Sequence, residues 1–210
     1  MNTAAGTTAK RSALLPVLYI RSRGLPRTAA ALVCVVLLAA WSADRLESSF
    51  DPGARVPVLV LAPLLVSAAL GTSLYAAADE LDRTAVHRWW PRRLLHLLVL
   101  TVPAAAALAL AVPGHPGEFG APGMIRNVLG ATGVAAASAA LIGARLSWLP
   151  MTVYGGAVYL AAPRTPGGAA SVWAWLMQPG PQPGAWVVAS VAYAAGTALF
   201  AVRGARPERG

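Results

Sequence analysis

Residues 56–93 read VPVLVLAPLLVSAALGTSLYAAA and then DELDRTAVHRWWPRR. The first part, residues 56–78, carries no charge. It is long enough for a helix to cross a hydrocarbon core of about 30 Å, which takes roughly 20 residues. The second part, residues 79–93, gathers acids, arginines and a tryptophan pair into a segment with no long apolar run. Working outward, the same alternation fills the chain. Further apolar runs occupy residues 28–43, 94–112, 124–144, 146–162 and 185–202, with charged or Pro- and Gly-rich stretches between them. The sequence therefore predicts an all-α polytopic membrane protein with six transmembrane helices. Its parts are a basic segment 1–27, a single six-helix domain 28–203 and a tail 204–210.

Composition points the same way. Of 210 residues, 57% are hydrophobic and 12% are charged, about half the charged fraction of a typical soluble domain. The net charge is +9, but the cations flank apolar runs and form no single basic face. That placement predicts membrane lipid as the partner and argues against nucleic acid. Lys10, Arg11, Arg21, Arg23 and Arg27 precede the first run, and Arg83, Arg88, Arg92 and Arg93 lie between the second and third. Arg145 separates the fourth from the fifth, and Arg203, Arg206 and Arg209 follow the sixth. Only Arg45, Arg55, Arg126 and Arg164 fall on the other side. Cytoplasmic loops keep the excess of Lys and Arg. Both termini are accordingly expected in the cytoplasm, in a multi-pass protein of the plasma membrane.

The sequence offers little for catalysis. It has no His-x-x-x-His pair or Cys/His cluster for a metal and no Gly-x-Ser-x-Gly nucleophile turn. Lys10 has no phosphate-cradling loop around it. His96 lies about one turn inside the third run without an acidic partner in any run, so a proton relay there is disfavoured. Neither a catalytic residue nor a cofactor is expected.

Packing is better marked. Ala131, Ala135, Ala139 and Gly143 recur every fourth residue and place a smooth ridge on one face of the fourth span; Ser67 and Gly71 do so in the second. Small residues at that spacing admit close helix contacts, in a tight bundle or a dimer. In residues 79–93, Asp79 and Arg83 form an i,i+4 pair that extends a helix beyond the bilayer. Asp82 or Thr84 can cap a short second helix ending at Pro91, with Trp89 and Trp90 at the inner interface. Residues 163–184 read as turn, apolar patch, turn. The patch 171–177, with Trp173 and Trp175, is too short to span and fits either a re-entrant piece or an outer interfacial loop.

Six spans, a basic leading segment, a short helix between spans two and three and an apolar piece between spans five and six resemble the ABC-2 type transporter permease. The phrases at residues 126–130 and 144–150 are similar to those of small actinobacterial permease-like proteins. The resemblance implies an amphipathic elbow helix near residues 12–23. It also implies a coupling segment carrying Asp82, Arg83, Arg88, Trp89 and Trp90, and an outer re-entrant element around Trp173 and Trp175. It further implies a homo- or heterodimer served by a separate cytoplasmic ATP-binding subunit, moving a lipophilic or peptide-like cargo outward. The alternative is a non-catalytic integral membrane scaffold or accessory protein.

Because Cys34 is the only cysteine, Cys34→Ala gives a clean background for topology. Single cysteines at Asp51, His115 or Gln182 should react with an impermeant maleimide on intact cells, and one at His87 only after permeabilisation. The opposite pattern contradicts the arginine reading.

Overall fold

Apolar residues in lipid leave the backbone no water to bond, so each run must satisfy its own N–H and C=O groups as a helix. A computed structural model describes residues 25–49, 56–75, 90–112, 120–163 and 165–207. Its helices are α1 (Leu25–Ser49), α2 (Val56–Ser73), α3 (Trp90–Ala111), α4 (Ala121–Ile142), α5 (Leu149–Ala161), α6 (Ala170–Trp173) and α7 (Pro183–Arg203). Two 3₁₀ turns, Ala144–Leu146 and Trp175–Met177, complete the list. α1, α2, α3, α4 and α7 are each long and apolar enough to cross a membrane. By that measure the chain is a multi-pass membrane protein.

Several boundaries differ from the sequence reading. The first span is not short, since α1 has 25 residues and runs past Arg45. α3 begins at Trp90, because Pro91 falls in the first turn, where its missing N–H costs nothing. The main difference is the run 146–162, expected as the fifth span. It forms α5, only 13 residues long, or ~20 Å at 1.5 Å per residue. Gly143, at φ +106°, stops α4 in a conformation other residues avoid. The 3₁₀ turn and Ser147 then use up chain before α5 starts, and Ala162 is extended ahead of Pro163. The expected elbow segment 12–23 lies outside the described residues, as do Asp82, Arg83, Arg88 and Trp89.

α4 is the axis of the bundle. At one end Gly123 approaches Leu59 of α2, and further along Gly71 of α2 meets Ala135, so α2 and α4 run parallel. Gly130 faces Ala189, Gly133 faces Ala192 and Tyr193, and the Arg206 N–H donates to the Ala139 carbonyl at 2.9 Å. Those pairs make α7 parallel to α4 as well. α3 is antiparallel: Leu97 packs with Ala136, Ala139 and Phe200, while Leu108 packs with Met124 and Val128. α5 also returns, from Ser147 beside Gly71 to Gly155 beside Leu64 and Val158 in the cluster with Val60. At the Gly143 end, Gly204 (φ +72°) closes α7 by donating to the Phe200 carbonyl at 2.7 Å. The Arg206 guanidinium donates to the Leu141 carbonyl at 2.9 Å, a cation on the otherwise unpaired end of α4.

The tightest contact in this frame is Gly133 against Gly196, where any side-chain carbon at residue 196 would meet the Gly133 backbone. Gly196→Ala must push α4 and α7 apart and should lower the unfolding midpoint in detergent by roughly 3–10 °C. Gly156 of α5 has nothing within 4 Å of the same added carbon, so Gly156→Ala should raise the midpoint by about 2 °C through helix propensity alone. Equal effects at the two sites would contradict this packing.

Candidate functional site

Proline inside a helix removes the N–H that would bond the carbonyl four residues earlier. Pro63 lies inside α2, which leaves the Leu59 carbonyl without its helical donor. Leu59 is buried, so water does not reach that oxygen. Asn127 of α4 supplies the missing donor: its Nδ2 reaches the Leu59 carbonyl at 3.0 Å. The same Nδ2 also donates to the Leu176 carbonyl at 2.8 Å. One side chain thus repairs α2 and fastens the segment between α5 and α7.

Its neighbour completes the attachment. Arg126 is wholly buried, with 0% of its surface exposed. Nη2 donates to the Gln178 carbonyl at 2.7 Å, Nη1 to the Pro179 carbonyl at 2.8 Å and Nε to Asn127 Oδ1 at 3.1 Å. A cation this close to a helix start opposes the helix dipole. The carbonyls at the far side compensate, because they follow the 3₁₀ turn Trp175–Met177, where main-chain oxygens lack helical partners. Arginine suits the position, since its planar fork engages two separate oxygens and stays charged.

The held segment has its own internal ties. Gln178, 2% exposed, accepts the Gly167 N–H on Oε1 at 2.9 Å and so joins the two limbs. Ser171 Oγ donates to the Gly168 carbonyl at 2.7 Å, and Trp186 Nε1 to the Gly180 carbonyl at 2.8 Å. Trp175 enters the bundle, lying in the hollow over Gly130 and stacking on Tyr154 with ring centroids 6.2 Å apart. Trp173 is exposed, and its carbonyl accepts the Tyr154 hydroxyl at 2.6 Å. The two tryptophans thus diverge: Trp175 anchors and Trp173 faces outward.

Of the other predicted positions, Ala131, Ala135, Ala139 and Gly143 are all buried. Their ridge packs within the chain, Ala131 in the cluster with Val60 and Trp175, Ala135 beside Gly71, and Ala139 in the cluster with Phe200. Trp90, half exposed, is the first residue of α3. The sequence reading placed Arg126 and Asn127 at a span end and gave them no task. The signal that finds Asn127 is Pro63 itself, whose orphaned carbonyl four residues back demands a donor. Beyond Asn127, nothing local announces the partners of Arg126, which are backbone oxygens more than 50 residues away.

Chemically the site is a clamp. It holds a segment through main-chain oxygens and presents no nucleophile. Among the described residues no group of three or more His, Cys, Asp or Glu is placed to hold a metal ion. No protein-family model, curated protein or solved structure matches the chain.

Losing the Arg126 clamp should release the segment without unfolding the bundle. In the Cys34→Ala background, a cysteine at Leu176, 1% exposed in the parent, should react slowly with a soluble maleimide. Arg126→Leu should speed that reaction about tenfold, the factor that about 1.4 kcal/mol of lost local stability produces. An unchanged rate would show that the clamp does not hold the segment.

Proposed function

We propose that the chain crosses the membrane six times with both termini in the cytoplasm. On this reading it serves as the membrane-spanning subunit of an ATP-driven exporter of ABC-2 architecture, without a nucleotide-binding domain of its own. The sixth crossing follows from direction. α4 and α7 run parallel, so the chain must return between them, and α5 makes that return although it is short. Residues 165–182 complete the passage as a re-entrant element seated in the outer end of the bundle. Arg92, Arg93, Arg145, Arg203 and Arg206 then mark the cytoplasmic end.

One observation carries the functional reading: an apolar element between the fifth and sixth passages is pinned into the outer end by Arg126 and Asn127. A merely dipping loop needs no buried cation. In the exporter reading, two such subunits pair in the plasma membrane and dock separate ATP-binding subunits through Asp82, Arg83, Arg88, Trp89 and Trp90. Trp90, the last residue of that segment, opens α3, so a push on Trp90 passes into a span. A second reading, a scaffold or accessory protein, draws on the Gly133–Gly196 contact. That contact brings α4 and α7 together backbone to backbone and leaves no cargo path between those two helices.

Affinity purification in mild detergent tests the exporter reading. An ATPase with a phosphate-binding loop should accompany the parent protein. It should be lost when Arg83, Arg88, Trp89 and Trp90 are replaced by alanine, with the unfolding midpoint unchanged. Purification of the parent without any ATPase, together with normal export in cells lacking the protein, favours the scaffold.

A further inference from the structure

Hydroxyls inside apolar helices ordinarily donate to a main-chain oxygen three or four residues back. Much of this bundle follows that habit: Ser67 donates to the Leu64 carbonyl at 2.8 Å, Ser73 to Leu70 at 2.6 Å, Thr72 to Ala68 at 3.0 Å and Ser138 to Val134 at 2.8 Å. Three threonines break it. The Oγ1 atoms of Thr101 in α3, Thr132 in α4 and Thr197 in α7 are buried without a hydrogen-bond partner, and so is the Tyr193 hydroxyl.

These four groups belong to one place. Thr101 and Thr132 each sit at the middle of their helices, as Tyr193 does in α7. Leu97 packs with Ala136 on one side of them and Leu108 with Val128 on the other, so the antiparallel register sets Thr101 opposite Thr132. Tyr193 packs on Gly133, next to Thr132, and its hydroxyl lies beside that of Thr101. Thr197 follows one turn later. The residues are shut in, with 0% of Thr101, 1% of Thr132 and 6% of Thr197 exposed.

We propose that Thr101, Thr132, Tyr193 and Thr197 line a hydrated site at mid-depth between α3, α4 and α7. It binds about one or two water molecules, each held by the usual two to four hydrogen bonds. The chemistry selects the occupant. The four groups are neutral and none offsets the charge of a buried ion, whereas hydroxyls both donate and accept, as water does. The backbone contact of Gly133 and Gly196 beside them excludes a bulky occupant. Left dry, four hydroxyls in a low-dielectric interior would each forfeit a hydrogen bond. Joined through water, they couple α3 to the α4–α7 pair by an exchangeable contact.

Isosteric replacement tests this, since valine keeps the shape of threonine and removes the hydroxyl. Thermal unfolding in detergent is measured for Thr101→Val, Thr132→Val and the pair. A shared water predicts that each single change lowers the midpoint by about 3 °C. It also predicts that the double variant loses little more than either single one, because the first change already evicts the water. Thr132→Ser, which keeps the hydroxyl, should stay near the parent. Water-to-methyl cross-relaxation at the threonine methyls gives an independent readout and should be present in the parent and absent in the double variant. A midpoint that rises with each valine, or losses that simply add, overturns the proposal, as does the absence of water cross-relaxation in the parent.

Discussion

A carbonyl that Pro63 deprives of its donor, and the Asn127 amide that replaces it, set the terms for the rest of this bundle. In lipid a buried main-chain oxygen has no water to turn to, so a proline in a span must be compensated by a neighbour. Asn127 does this from α4, which fixes the register of α2 on α4. Its other bond, to Leu176, ties the same level of the bundle to the segment between α5 and α7. Arg126 then holds two further carbonyls of that segment. A single turn of α4 therefore aligns three parts of the chain that lie far apart in sequence.

The consequences reach the opposite end. With α2 and α7 both parallel to α4, α3 and α5 are the returning helices, and the pinned segment packs at the end of the bundle where α5 stops. Glycine at 133 and 196 lets α7 lie directly on α4, and the tail reinforces the pair through Arg206 on the last carbonyls of α4. α4 and α7 thus meet backbone to backbone, with no passage between them. Under the exporter reading, function has to arise where this unit meets another, or where the inner segment ending at Trp90 pushes on α3.

Much of this was legible in the sequence. Long uncharged runs announce helices because length and hydropathy alone decide them, and five of the six expected runs form helices long enough to cross. The run ending at Ala162 forms a shorter helix than its apolar length suggests, because composition shows how apolar a segment is, not how much chain a glycine stop and a 3₁₀ turn will consume. The ridge from Ala131 to Gly143 was visible as spacing, yet which helix it meets depends on register. Arg126 reads in the sequence as one more interfacial arginine, since its two distant partners are backbone atoms, which a sequence never names. The mid-depth threonines were hidden for a related reason: a threonine in a span is expected to bond its own helix, and only the packed structure reveals which ones do not.

The dependence of this architecture on one repaired carbonyl can be measured by a double-mutant cycle of Pro63→Ala and Asn127→Ala, read as unfolding free energy in detergent. Alanine at 63 restores a helical donor for Leu59, so the amide of Asn127 becomes redundant there and keeps only its bond to Leu176. Asn127→Ala should therefore cost about 1 kcal/mol less in the Pro63→Ala background than in the parent. The same cost in both backgrounds would contradict the repair and with it the register built on it.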